Sequence, residues 1–414
     1  MPRRRVPVLL ATAILAVLGL GAGMTVAPLS ASTLPVARTA PPPPDQFTVV
    51  VASTLDSGQS PVLGTDGRLH VVYEIQLTNA RADLATLQEI QVLDADRPSR
   101  VVASFAGDDL LKRLRKLTGK EPAGSLAIPE DVSRLVLVDL AFATDAQVPK
   151  QLIHRFRLLG QPVAGGPPAQ LDYTAAPFDL VGKPLVISPP LAGKGWVDIN
   201  GCCSGDGIHR DTVLPVNGHL ADTQRFAIDY MRLDAQGRLV HGDPTDVRNY
   251  TAYGAQLLAV ADGTVVSTLS TLSDQVPGTL PDPSTITLAN VDGNHVVLDL
   301  GHGVFAFYAH MQENSVTVKV GDRVRRGQVL GLLGNTGNTS APHLHFHLMN
   351  GPSVLGSSGL PYTYDRFAVA GAIDAARFGA STTLEGVWNQ GLLPTPSPRT
   401  RQFPLDLTLV DFAG

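Results

Sequence analysis

Histidine is the residue type whose spacing in this chain points to chemistry. Three of the eleven histidines, His343, His345 and His347, alternate with other residues in the run PHLHFHL. Residues two apart in a β-strand point to the same face, so a strand here would place three imidazoles on one face. His310, at the end of the run FAFYAHM, can approach the same place from another strand. Imidazoles gathered in this way predict a zinc site in which some rings bind the ion and others act as bases.

Three runs, of which the last two contain these histidines, follow one another in order: AYGAQLLAVADGTVV, FAFYAHM and VKVGDRVRRGQVLGLLGNTGNTSAPHLHFHL. Together they resemble the lysostaphin-type (M23) zinc metallopeptidases, over residues 225–349. The resemblance implies that His345 and the upstream Asp229 bind one Zn²⁺ ion. It also implies that His343 and His310 form the catalytic pair.

One metal ligand of that family is missing. The family's HxGxD segment has a histidine four residues before the aspartate, where this chain has Arg225. A guanidinium stays protonated and has no lone pair to offer, so Arg225 cannot bind zinc. Ala227 stands where the family has a glycine that permits a bend, which predicts a straighter strand leading to Asp229.

Histidines upstream of Arg225 offer a replacement for the missing ligand. His209, in the run GIHRD, is the third zinc ligand that we favour, ahead of His219. His347 is less suitable, because binding next to His345 on a flat strand would strain the site. The alternative is that no metal binds and that Arg225 places its guanidinium beside Asp229. The domain would then be a catalytically degenerate module that binds the cell wall or regulates other hydrolases.

Short strands rich in β-branched residues have to position these side chains. Residues 46–159 predict an antiparallel, immunoglobulin-like β-sandwich, in which His70 and His154 are ordinary strand residues. Residues 160–195 are rich in Gly and Pro and predict a linker. Strand signals return over 196–370, the part that contains the peptidase motifs, and 371–414 form a tail with a final strand. The predicted fold class is all-β: the sandwich, followed by an M23-type antiparallel β-sheet peptidase domain.

The amino terminus indicates where the protein works. Arg3, Arg4 and Arg5 precede an apolar run that extends to Ala27, which predicts a secretory signal peptide or a membrane anchor over residues 1–31. A Pro-rich spacer follows over 32–45. We interpret the apolar segment as a cleaved signal rather than a retained anchor. Either way the protein is expected to be secreted or to lie in the cell envelope, with membrane contact only through an uncleaved anchor.

Composition narrows the classes of partner. The net charge of −5 over 414 residues argues against a nucleic-acid-binding protein. The two cysteines, Cys202 and Cys203, are adjacent and predict either a vicinal disulfide or two small buried residues. With the family resemblance, these features predict an extracytoplasmic zinc metalloendopeptidase that cleaves the peptide cross-links of bacterial peptidoglycan. Peptidoglycan or its peptide stems would be the partner.

Overall fold

The computed structural model describes residues 45–117, 121–162, 165–203, 207–381 and 383–413. The segment predicted as a signal or anchor, and the spacer up to residue 44, lie outside these ranges. From Phe47 onward the chain forms one compact unit. None of the helices in the described ranges is long and apolar enough to cross a membrane.

The first part of the described chain consists mostly of strands, with one short helix and one 3₁₀ turn. Its elements are β1 Val50–Thr54, β2 Gly58–Gln59, β3 Val62–Leu63, β4 Leu69–Asn79, β5 Leu84–Asp94, β6 Arg97–Ala106, α1 Gly107–Arg113, β7 Leu114–Lys116, β8 Ala127–Ile128, β9 Ser133–Phe142, the turn Asp145–Gln147, β10 Gln151–Gln161 and β11 Ala169–Leu180.

These strands form two sheets that enclose one core. The first sheet has the order β1-β4-β9-β7, with β3 beside β4; the second has the order β2-β11-β10-β5-β6, with β8 beside β5. Ile75 and Val138 of the first sheet pack with Ile90, Phe156 and Phe178 of the second. We call this region the N-terminal sandwich. Its immunoglobulin-like connectivity stays a prediction.

The stretch predicted as a linker, residues 160–195, contains structure that belongs to the sandwich. Strand β11 pairs antiparallel with β10 along most of its length. Five Gly and Pro residues of this stretch, Pro162, Gly165, Gly166, Pro167 and Pro168, lie in the sequence between these two strands. Pro177 and the neighbouring small residues concealed the strand in the sequence, because Pro is unfavourable inside a ladder. The chain leaves the register at this point through a bulge.

The second part of the described chain is again almost entirely strand. Its elements are β12 Leu185–Ile187, β13 Gly193–Ile199, β14 Val213–Val216, β15 His219–Asp222, β16 Ile228–Arg232, the 3₁₀ turn Val247–Asn249, β17 Gln256–Leu258, β18 Gly263–Leu269, the 3₁₀ turn Pro283–Thr285, β19 Asn294–Asp299, β20 Phe305–Met311, β21 Arg323–Val324, β22 Val329–Leu332, β23 Leu344–Met349, β24 Gly359–Leu360, β25 Tyr362–Tyr364, β26 Phe367–Ala372, α2 Ala375–Ala380, β27 Leu392–Arg399 and β28 Thr408–Phe412. The prediction of an all-β chain is confirmed.

One large sheet dominates this second part, which we call the C-terminal domain. Its strand order is β21-β18-β19-β20-β23-β16-β13-β28-β26-β27, with β24 beside β23. The final strand β28 lies inside the sheet, between β13 and β26. Near the middle, β20, β23 and β16 are neighbours, and all their pairings are antiparallel. The histidine-rich run is therefore carried by a central, well-supported strand.

The N-terminal sandwich and the C-terminal domain share apolar packing. Val62 and Val72 of the sandwich belong to the same buried cluster as Phe226 and Phe403 of the C-terminal domain. The backbone adds to this contact, because the amide of Phe403 donates to the carbonyl of Leu63 at 2.8 Å. The two parts are therefore joined by a continuous core.

Candidate metal centre

Asp229 and His345 meet because their strands are in register. Asp229 on β16 lies directly opposite His345 on β23, and Ala309 on β20 lies opposite His345 on its other side. The Nδ1 atom of His345 is 2.9 Å from Oδ1 of Asp229. Both side chains are buried. The antiparallel pairing thus brings together the carboxylate and the imidazole that the family resemblance names as ligands.

His209 completes a three-residue cluster from outside the sheet. Its Nε2 atom is 3.3 Å from Oδ2 of Asp229. Its Nδ1 atom is 3.1 Å from the carbonyl oxygen of Ala227, so Nδ1 carries the proton and Nε2 keeps its lone pair. One potential ligand atom from each of His209, Asp229 and His345 lies within 4.8 Å of the other two. His219, the other upstream candidate, instead contacts the carbonyl of Gly356 at 2.8 Å.

The donor set of this cluster fits zinc. Two imidazoles and one carboxylate are among the ligands zinc prefers, and three protein ligands leave a fourth position for water or substrate. With metal–ligand distances of about 2.0–2.2 Å, the ligand atoms of a tetrahedral ion lie roughly 3.4 Å apart. Asp229 lies 2.9 Å from His345 through Oδ1 and 3.3 Å from His209 through Oδ2, and one ligand atom from each of the three residues lies within 4.8 Å of the others, so the cluster approaches that spacing.

His343 and His310 lie beside the three-residue cluster. Nε2 of His343 is 3.4 Å from Oδ1 of Asp229, and its Nδ1 is 2.8 Å from the carbonyl oxygen of Ala341. Nδ1 of His310 is 2.7 Å from the carbonyl oxygen of Thr336. The two rings are 4.7 Å apart between centroids. In both residues a backbone carbonyl accepts from Nδ1, and in His343 the other nitrogen, Nε2, faces Asp229.

Electrostatics make Asp229 the charged centre of this group. Burial alone would raise the pKa of Asp229, but His209 and His343 hold it well below its usual range. Burial in turn lowers the pKa of an imidazole, yet the carboxylate of Asp229 raises the pKa of both His209 and His343. Burial and the two rings of His343 and His345 lower the pKa of His310 well below its ordinary value. An ionised carboxylate among imidazoles favours a cation.

The sequence of this region matches a known family. Residues 246–355 match the sequence model of Peptidase family M23. The C-terminal domain therefore contains a segment that matches Peptidase family M23, and we call it the M23 domain. The matched segment contains His310, His343 and His345, whereas His209 and Asp229 lie before it. The family match therefore covers three of the five residues of the candidate site.

Curated relatives resemble this chain over a short stretch. Peptidoglycan DD-endopeptidase ShyA of Vibrio cholerae serotype O1 is 44% identical over 57 residues, which are 14% of this chain and 13% of ShyA. Glycyl-glycine endopeptidase ALE-1 of Staphylococcus capitis is 47% identical over 58 residues, or 14% of this chain and 16% of ALE-1. The chain thus spans less than a fifth of the length of either relative. A solved zinc-containing peptidase from Vibrio cholerae is 14% identical, with a TM-score of 0.24 and coverage of 73% of this chain and 85% of that one.

Arg225 of the M23 domain does not occupy the metal site. Its guanidinium contacts Glu74 of the N-terminal sandwich, and it lies 2.8 Å from a carboxylate oxygen of Asp56. The expectation of a straight strand from Arg225 to Asp229 is wrong, because strand β16 begins only at Ile228. Phe226 has a φ of 67°, and the amide of Ala227 donates to the carbonyl of Gln224 at 2.9 Å. This turn directs Arg225 away from Asp229, so the alternative in which Arg225 replaces the ion is also wrong.

Two residues at the metal centre of the M23 domain were missed or underrated in the sequence. Nδ2 of Asn200 donates to Oδ2 of Asp229 at 2.7 Å. Nothing in the run around Asn200 indicates this contact, because it depends on the pairing of β13 with β16. His347 is less suitable as a ligand from the sequence, yet its Nδ1 is 3.1 Å from Nε2 of His345 and it is fully buried. Asn200 contacts Asp229 and His347 contacts His345, so each orients one member of the three-residue cluster.

Cys202 and Cys203 form a disulfide in the loop that follows β13. The sequence left open a vicinal disulfide or two small buried residues, and the structure contains the disulfide. Cys202 is buried and belongs to the core of the M23 domain. The loop that contains the disulfide starts next to Asn200 and leads towards His209.

Proposed function

We propose that this protein is an extracytoplasmic zinc metalloendopeptidase that cleaves peptide cross-links in bacterial peptidoglycan. His209, Asp229 and His345 are the proposed zinc ligands. His343 and His310 are the proposed catalytic pair. The observation that carries the proposal is the convergence of His209 with Asp229 and His345, because it supplies the imidazole that the family pattern lacks here.

The chemistry follows from the free ring atoms around Asp229. A zinc ion bound there would polarise a peptide carbonyl and lower the pKa of a water molecule. His343 has a lone pair available at Nε2 when neutral, and we assign it the role of general base that takes a proton from the attacking water. His310, held by Thr336 through Nδ1, can donate a hydrogen bond from Nε2 only when protonated. Because burial and the neighbouring rings keep the pKa of His310 low, it would have to gain this proton during the reaction, and it would then stabilise the negative charge that develops on the carbonyl oxygen.

The substrate and the location rest on separate observations. ShyA is named as a peptidoglycan DD-endopeptidase, and ALE-1 as a glycyl-glycine endopeptidase; they match this chain over 57 and 58 residues. These names support a peptide of the cell wall as the substrate class. A disulfide between Cys202 and Cys203 is typical of an oxidising compartment, and the apolar segment at residues 1–31 predicts export. Both features support a location outside the cytoplasm.

A catalytically degenerate module that binds the cell wall is the competing function. Its main support was an arginine in the place of the metal. Since Arg225 contacts Glu74 and Asp56, that support is gone. The competing function is kept as one outcome of the experiment that follows.

The deciding experiment measures zinc and peptidase activity in the purified protein and in two matched variants. The wild type should contain about one zinc per chain and release soluble peptides from peptidoglycan. His209→Ala should weaken zinc binding at least tenfold, since it removes one of three ligands, whereas His219→Ala should leave it unchanged. Wild-type protein that binds peptidoglycan without zinc and without releasing peptides would favour the degenerate module. Loss of zinc in His219→Ala, but not in His209→Ala, would contradict the ligand assignment.

A further inference from the structure

A cluster of buried charges lies where the N-terminal sandwich meets the M23 domain. Glu74 on β4 of the sandwich accepts hydrogen bonds from the guanidinium groups of both Arg210 and Arg225. Asp222 on β15 lies 2.8 Å from Arg210 and 3.4 Å from Arg225. All four residues are at most 2% exposed. Removing one member of such a cluster leaves the opposite charges buried and uncompensated, which is strongly destabilising.

Both arginines of this cluster lie next to the elements that hold His209. Arg210 follows His209 directly in the chain. Arg225 lies two residues before Ala227, whose carbonyl accepts the hydrogen bond from Nδ1 of His209. Glu74 therefore contacts the segment that carries the imidazole and also the segment that orients it.

The sandwich provides further contacts to the segment that carries His209. The second terminal nitrogen of Arg210 reaches the carbonyl oxygens of Tyr73 and Val138, at 3.5 and 3.4 Å. The next residue, Asp211, forms an ion pair of 3.0 Å with Arg115 on β7. The two residues that follow His209 are thus both held by strands of the sandwich. By contrast, Asp229 and His345 are held by the central sheet of the M23 domain itself.

We propose that the N-terminal sandwich is part of the metal site, with Glu74 as a positioning residue that fixes the third ligand, His209, through Arg210 and Arg225. The inference rests on the proposed function, because it takes His209 as a zinc ligand. It assigns a role to the arginine that replaces the family's histidine: Arg225 anchors the turn that orients the substitute ligand. Displacement of the sandwich would release His209 and leave Asp229 and His345 as a two-ligand site.

The test compares zinc affinity in the full-length wild type and in Glu74→Gln, which keeps the shape of the side chain and removes its charge. Residues that orient a metal ligand contribute about 10- to 100-fold to affinity, and we expect a loss in this range. Affinity is measured by competition with a chelator. The absorption spectrum of the cobalt-substituted protein reports separately whether the ligand set has changed.

Asp94→Asn is the matched control. Asp94 is also a buried sandwich carboxylate paired with two arginines, Arg97 and Arg100, but both of these lie within the sandwich. The control should lose stability while its zinc affinity and cobalt spectrum stay at wild-type values. An equal loss of zinc affinity in Asp94→Asn would show that any weakening of the sandwich suffices, and it would overturn the specific role of Glu74.

The outcomes separate this inference from the proposed function. Wild-type protein that binds no zinc would overturn the proposed function itself. Wild-type protein that binds zinc, with Glu74→Gln binding it equally tightly, would overturn only the inference. If Glu74→Gln does not fold, Asp56→Asn decides, because Asp56 is partly exposed and pairs with Arg225. A several-fold loss of zinc affinity in Asp56→Asn supports the inference, and an unchanged affinity overturns it.

Discussion

Buried histidines in the two halves of the molecule are stabilised in different ways. His154 in the N-terminal sandwich is fully buried, with Nδ1 2.7 Å from the carbonyl of Ala176 and Nε2 2.6 Å from the hydroxyl of Tyr73. Burial lowers its pKa to about 4. In the M23 domain, His209, His310 and His343 likewise have Nδ1 on a backbone carbonyl.

The difference lies at the other ring nitrogen. In His154 the hydroxyl of Tyr73 forms a hydrogen bond with Nε2, so both ring nitrogens have fixed hydrogen-bond partners. In His209 and His343, Nε2 is instead directed at the carboxylate of Asp229. A buried histidine is therefore structural when the protein satisfies both nitrogens with fixed neutral groups. It is a candidate for chemistry when one nitrogen is left facing a shared charge.

The largest expected effect is on catalysis, through His343→Ala. Loss of a general base should lower the rate of peptide release by about 10²- to 10⁴-fold, while zinc content stays near one per chain. Peptide release from purified peptidoglycan and metal analysis measure the two quantities. The matched control is His295→Ala in the same domain, where Nε2 is 3.0 Å from Ser267 and remote from Asp229; its rate should stay near wild type. Loss of zinc in His343→Ala would identify His343 as a ligand instead of a base.

His154→Ala should act on stability alone. The substitution leaves the hydroxyl of Tyr73 and the carbonyl of Ala176 without their partner and opens a cavity, at a cost of about 3 kcal/mol in the free energy of unfolding. Chemical denaturation followed by fluorescence measures this change. Zinc content of the folded fraction should remain that of the wild type. Zinc loss without a change in stability would remove the distinction between the two kinds of histidine.

The titration of His154 gives a pH dependence with a defined sign. Its pKa is about 4 in the folded protein and 6.5 when unperturbed, so between these values the unfolded chain binds the extra proton. This contribution to stability is therefore present above pH 6.5 and is lost as the pH falls towards 4. It amounts to roughly 3 kcal/mol. The difference in unfolding free energy between wild type and His154→Gln isolates it, and a difference independent of pH would contradict the neutral, buried ring.

The smallest expected effect concerns Asn200, which donates to Asp229 from outside the ligand set. Asn200→Ala should weaken zinc binding about tenfold, because the carboxylate loses a partner that orients it. Asn217→Ala is the control for the backbone, since Asn217 has a φ of 53° and Asn200 has a φ of 59°. Both variants should lose some stability, but only Asn200→Ala should lose zinc affinity. Equal affinities in the two variants would show that the Asn200 contact is incidental.

Local sequence patterns were sufficient to predict the fold class and several residues of the candidate site. Short runs rich in β-branched residues predicted the all-β fold, and the two-residue spacing in PHLHFHL predicted imidazoles on one side of a strand. His345 and Asp229 could be named because the motif preserves them. His209 was selected from its place upstream of the missing ligand, and the structure brings it to Asp229.

Only the tertiary structure showed which residues Arg225 contacts and how His209 comes to lie beside Asp229. Glu74 and Arg225 are 151 residues apart, and no local pattern joins a strand of the sandwich to a turn of the M23 domain. Strand β11 and the contact of Asn200 were likewise decided by pairing between distant segments. The sequence by itself determined which groups could bind and react, because side-chain chemistry is local. Packing decided which of those groups come into contact, because a buried charge must be paired with an opposite charge even when the two residues are far apart in the sequence.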